Sequence, residues 1–134
     1  MNEKVYLAVP IIANRDPEKA YNIGQILTAL GYSVISKWVI QTDPGYSMSP
    51  RQVFERDANG VKESDILLAE VSEGSHGVGM EIMLAHIHNK KIICIYRKGR
   101  NVSRMLMGLP NAIFLEYTSQ EDMDEKLRKI FAKV

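Results

Sequence analysis

The sequence predicts a single α/β domain over residues 1–134, built as a doubly wound, mostly parallel five-stranded sheet in the flavodoxin-like order 2-1-3-4-5. Three observations carry this. Short apolar runs recur without polar alternation, as in strands buried on both faces (Lys4–Val9, Asp65–Val71, Lys91–Tyr96). Between them lie longer stretches whose apolar residues fall at helical spacing. Cap and breaker residues punctuate the joints: Asp16-Pro17, Gly31, Ser49-Pro50 and Ser119. Right-handed crossovers then place the first and third strands side by side, with a ligand crevice at their carboxyl ends.

In chain order, Lys4 to Val9 forms the first strand and Pro10 ends it. Tyr6, if buried there, needs a partner for its hydroxyl, in the core or in a site. The loop Pro10–Arg15 leaves the ligand edge, and Arg15 is either a phosphate contact or a solvated arginine. Asp16 and Pro17 start a helix through Ala20, Ile23, Ile26, Leu27 and Leu30, which Gly31 ends. Tyr32 to Ser36 reads as a second strand. Lys37 to Met48 reads as a loop able to cover a site, with Trp38 as a candidate wall for a base. Ser49-Pro50-Arg51-Gln52 opens a helix with a capping box. Asp57 shares the face of Val53, Phe54 and Val61, so a carboxylate is aimed inward, with Glu81 as its natural partner. Gly60 is expected to weaken or bend this helix.

The third strand runs into Gly74-Ser75-His76-Gly77-Val78-Gly79-Met80-Glu81. Glycines permit a tight turn and close approach of a ligand, and the following helix start offers N–H groups to an anion. Glu81 is placed in the first helical turn, where it either serves a bound ligand or complements the helix dipole. Met80, Met83, Leu84 and Ile87 read as that helix's core stripe. A fourth strand, Lys91–Tyr96, leads to the basic loop Arg97–Asn101 on the ligand edge. A short helix over Val102–Gly108 crowds Met105, Leu106 and Met107, a candidate subunit contact. The fifth strand, Ala112–Tyr117, is followed by a capping box at Thr118–Glu121 and a last helix with core positions Met123, Leu127, Ile130 and Phe131.

Composition narrows the functions. Apolar residues make up 46% and charged residues 25%, with a net charge of +1, so no electrostatic footprint for nucleic acid or anionic membrane is present. The one cysteine, Cys94, lies in an apolar strand and reads as a buried hydrophobe. No metal-ligand spacing and no cofactor motif occurs. The N-terminus enters the first strand without a signal-peptide pattern, so a cytoplasmic location is expected.

Val5–Pro10, Glu55-Arg56-Asp57, Ser64–Val71, Gly74–Glu81, Asn89–Ile92 and Val102–Gly108 together resemble, in order, the nucleoside 2-deoxyribosyltransferase superfamily. The Ser75-x-Gly77-Val78-Gly79-x-Glu81 form is most similar to its 2′-deoxynucleoside 5′-phosphate N-hydrolase branch. The resemblance implies a retaining reaction at the anomeric carbon. Glu81 would attack C1′ and form a glycosyl-enzyme, Asp57 would handle the proton on the departing base, and Tyr6 would orient Glu81. Ser75, Gly77 and Gly79 of the turn, with Arg15, would hold the 5′-phosphate. Ser103 would reach the site of the neighbouring subunit, which implies a homodimer. Where relatives carry an arginine and two glycines after the first strand, this chain has Ile12-Ala13-Asn14. Base exchange between nucleosides and non-catalytic nucleotide binding remain the rival readings.

Overall fold

In the computed structural model, residues 2–11, 15–41 and 43–132 are described. Part of the loop after the first strand, Ile12-Ala13-Asn14, lies outside them, as does Thr42.

Five parallel strands form one sheet in the order β2-β1-β3-β4-β5. They are β1 (Lys4–Ala8), β2 (Ser33–Val34), β3 (Ile66–Glu70), β4 (Lys91–Arg97) and β5 (Ile113–Tyr117). The helices are α1 (Pro17–Ala29), α2 (Pro50–Glu63), α3 (His76–Ile87), α4 (Arg104–Met107) and α5 (Gln120–Phe131). Strand order and class follow the sequence expectation.

Alternation along the central strands feeds two cores. Val5, Leu7, Ile66, Leu68, Ile93 and Ile95 pack under α1 and α5, against Ile23, Leu27, Met123, Leu127 and Phe131. Tyr6, Ala8, Leu67, Ala69, Ile92 and Cys94 pack under α2 and α3, against Val61, Val78, Ile82 and Ala85. Burial raises the Cys94 thiol to about 12, so it stays a neutral packing group. No helix among the described residues is long and apolar enough to cross a membrane.

Several elements depart from expectation. β2 stops after Val34 because the Ser36 hydroxyl replaces the sheet ladder: its Oγ accepts from the Leu7 N–H at 2.8 Å and donates to the Leu7 carbonyl at 2.9 Å. The chain then winds into a 3-10 helix, Lys37–Ile40, where a loop was expected. In α3 the buried positions are Val78, Ile82 and Ala85, whereas Met80, Met83 and Ile87 are exposed. The helix carries apolar residues on both sides, so periodicity could not choose; the face with small Ala85 and Val78 sits on the sheet. On α2, Phe54 is exposed and Val61 carries the packing. The cap of α5 is Ser119, accepting from Asp122 N–H at 3.1 Å, while the Asp122 carboxylate reaches back to Thr118.

Candidate active site

The site forms where β1, α2 and α3 meet. The α2 cap is as the sequence predicts, a reciprocal Ser49–Gln52 box with Pro50 in the first turn. It launches α2 across the sheet, so Arg56, Asp57 and Gly60 lie over β1. Gly60 lies inside a continuous α2. A Cβ there would sit 2.8 Å from Tyr6 Cε2 and 3.2 Å from Trp38 Cη2, so the glycine lets α2 lie directly on both rings.

The Ser75 Oγ accepts from the Val78 N–H at 3.3 Å and starts α3 at His76. Glu81 therefore lies in the second helical turn, beyond the first-turn position expected, and the dipole no longer accounts for it. Gly77 and Gly79 are helical residues, and none of Gly74, Gly77 and Gly79 has a positive φ. A Cβ on any of the three would meet nothing within 4 Å. These glycines serve no turn and no packing contact; they keep the start of α3 bare. Roughly 9 Å of helix rise separates that bare end from Glu81.

Tyr6, fully buried in β1, donates its hydroxyl hydrogen bond to Glu81 Oε2. Burial, then the charges of Glu81 and Asp57, hold the phenol far above its ordinary pKa, so Tyr6 acts only as a donor. Burial pushes Glu81 up to about 8; the Tyr6 hydrogen bond opposes this and the Asp57 charge adds to it. Asp57 is also raised, by burial, against the pull of Arg56. Its direct partner is Arg56, whose Nε donates to Oδ1 at 2.9 Å, and not Glu81 as expected; Glu81 feels Asp57 through charge alone. The Arg56 guanidinium lies 4.4 Å from the Trp38 ring centroid and donates to the Pro44 carbonyl. Trp38 meets the Tyr6 ring edge-on, with centroids 6.0 Å apart. Two carboxyl groups with raised proton affinity thus interact by charge beside a fixed donor, Tyr6, with Trp38 and Arg56 packed alongside. Such a pair can hold one proton between them, as acid–base and nucleophilic chemistry requires.

Arg15 lies beyond β1 and donates from Nη2 to the carbonyls of Gln41 and, at 3.4 Å, Val39. Ser103 is exposed and caps α4, its Oγ accepting from the Leu106 N–H at 3.4 Å. Among the described residues no three of His, Cys, Asp and Glu gather as a metal site.

No protein-family model matches the chain. Over 134 residues it is 37% identical to the 2′-deoxynucleoside 5′-phosphate N-hydrolase 1 homologue of Thermofilum pendens, covering 95% of this chain and 92% of the relative. The chain belongs to the 2′-deoxynucleoside 5′-phosphate N-hydrolase family. A relative from Tetraodon nigroviridis, named a 5-hydroxymethyl-dUMP N-hydrolase, is 28% identical over 96% of this chain and 97% of its own. The N-hydrolase fold is shared with a Clostridium botulinum CMP N-glycosidase, at TM-score 0.77 and 23% identity over 96% of this chain and 99% of that one. A Bacillus psychrosaccharolyticus 2-deoxyribosyltransferase matches at TM-score 0.67 and 21% identity, covering 90% of each chain.

Two groups went unread in the sequence of this N-hydrolase family member. Arg56 sits in Glu55-Arg56-Asp57, where the sequence carries no sign of its contact with Asp57. Glu70 is the other: it is 4% exposed and belongs to the opposite sheet face, where it joins Tyr117 and Lys19. A charged residue inside the apolar run Ile66–Val71 was the available signal. Its partners lie 47 and 51 positions away and left none.

Proposed function

We propose that the protein hydrolyses the N-glycosidic bond of (2′-deoxy)nucleoside 5′-monophosphates through a covalent intermediate on Glu81. The observation that carries this is the hydrogen bond from buried Tyr6 to Glu81, a carboxyl that also feels the charge of Asp57. A Glu Oε attacks C1′ as the C1′–N bond breaks, and Asp57 delivers a proton to the departing base. Water then attacks C1′, the C1′–O bond to Glu81 breaks, and Asp57 takes the water's proton. The products are free base and (deoxy)ribose 5-phosphate. The ionised Glu81 also stabilises positive charge developing on the sugar. Tyr6 orients the Glu81 carboxylate and keeps it ionised through its hydrogen bond, without itself ionising.

The 5′-phosphate is assigned to the bare start of α3, at Ser75, Gly77 and Gly79, with Arg15 from the neighbouring loop. The N-hydrolase named for the Thermofilum relative and the 5-hydroxymethyl-dUMP activity named for the Tetraodon one support a phosphorylated substrate. The functional unit is a homodimer in which Ser103 reaches the partner's site. Exposed Met80, Met83, Ile87, Met105 and Met107 on the α3 and α4 side supply an apolar surface for it.

Base release by chromatography, across deoxynucleoside and ribonucleoside monophosphates and the free nucleosides, tests the reading. Base freed from a monophosphate in plain buffer supports it. Turnover only when a second base is added makes the protein a transferase, and tight nucleotide binding without any turnover makes it a binding module.

A further inference from the structure

Apart from Tyr6, Asp57 and Glu81, a buried charge among the described residues has no part in the chemistry above. Glu70 ends β3 and is almost wholly buried. An inward carboxylate is costly unless its oxygens are satisfied, and here they are. Oε1 accepts from the Ser72 N–H at 2.6 Å. Oε2 accepts from the Tyr117 hydroxyl, from Lys19 Nζ at 3.3 Å and from Ser72 Oγ at 3.1 Å. Lys19 also donates to the Tyr117 hydroxyl at 3.0 Å, and Arg97 N–H donates to Ser72 Oγ at 2.8 Å. A single carboxylate thereby joins the first turn of α1, the ends of β3 and β5, and the start of the loop from β3 to α3.

The loop that leads from β3 to the start of α3 hangs from this knot, and Lys19 ties the first turn of α1 to it. Ser72 fixes the backbone three residues before Ser75. We propose that Glu70, with Tyr117 and Lys19, is a positioning centre for the 5′-phosphate grip. It acts through that loop and does not touch substrate. The inference rests on the monophosphate reading above.

Charge and position predict opposite signs. Removing a carboxylate near an anion site strengthens anion binding by electrostatics alone. Loosening the loop weakens it. The test is calorimetric affinity for 2-deoxyribose 5-phosphate and for unphosphorylated 2-deoxyribose, together with kcat and KM for a monophosphate substrate, in wild type, Glu70→Gln and Tyr117→Phe. Tyr117→Phe deletes one hydroxyl and keeps the ring, so it reports even where Glu70→Gln misfolds. The expected result in the variants is about tenfold weaker sugar-phosphate binding and a matching rise in KM, with kcat within about twofold. Tighter sugar-phosphate binding, or equal loss for sugar and sugar phosphate, overturns the proposal. Wild-type protein that binds both sugars alike removes the phosphate reading itself and the proposal with it. A wild type that discriminates, with variants that lose kcat alone, removes only the proposal.

Discussion

At the scale of single residues, the proposed chemistry depends on one proton placed among Tyr6, Asp57 and Glu81. Burial raises both carboxyls, while Tyr6, and less strongly Arg56, pull Glu81 back toward ionisation. Tyr6→Phe removes the stronger pull, so Glu81 gains proton affinity. Since attack on C1′ needs Glu81 ionised, the acidic limb of the kcat/KM profile is expected to move to higher pH, read from initial rates across a buffer series. A substitution that only loosened packing would lower the profile without moving it. The same burial affects stability. In the folded protein Glu81 titrates near 8, above its ordinary value of 4.5. As pH rises from 4.5 to 8 the unfolded chain ionises first and the fold loses stability. Glu81→Gln is therefore expected to stabilise the protein by about 1–3 kcal/mol at pH 8 and by nothing near pH 4, read from denaturant midpoints. The sequence made Tyr6, Asp57 and Glu81 visible because each is a polar group in an apolar setting or a recognisable motif. It could not show that Arg56, the next residue in the chain, is the direct partner of Asp57, because that depends on side-chain direction.

At the scale of elements, two glycines in helices carry opposite messages. Gly60 lies under Tyr6 and Trp38, with no room for a methyl group beside rigid buried rings. Gly77 faces open space. Alanine favours a helix interior over glycine by about 1 kcal/mol. At Gly60 the clash outweighs this, so Gly60→Ala is expected to cost about 1–3 kcal/mol in stability and to impair turnover by displacing Tyr6. At Gly77 nothing opposes it, so Gly77→Ala is expected to leave the melting temperature unchanged or raised while KM for a monophosphate increases. Loss of stability at Gly77 would contradict the view that its bareness serves a ligand. The caps of α1 and α2 were legible because their signals are local, Asp16 and Ser49 each preceding a proline; Ser75 and Ser103, expected as a turn hydroxyl and as a residue within a helix, prove to cap α3 and α4. The face that α3 turns to the sheet was not legible, because both of its sides are apolar and only packing volume decides between them.

At the scale of the whole molecule, the strand order expected from right-handed crossovers pairs β1 with β3, and Tyr6 at the middle of β1 lies on the face that α2 and α3 cover. The Glu70–Lys19–Tyr117 knot was illegible for the same reason that topology was legible: it depends on contacts across the finished sheet, after the order is set. Met105, on α4 two residues after Ser103, is exposed and lies on the surface proposed as the dimer contact. Met105→Glu is expected to yield a monomer by analytical ultracentrifugation and to lower turnover, since each site then lacks the partner's Ser103. A monomeric variant with full activity would show that one chain suffices. The central claim, a glycosyl-enzyme on Glu81, is tested most directly by acid-quenching the protein with a processed monophosphate and measuring intact and peptide masses. The account predicts one sugar phosphate added to the peptide that contains Glu81, formed as base is released and absent from Glu81→Ala. Base release with no such adduct, and with turnover retained in Glu81→Ala, would contradict it.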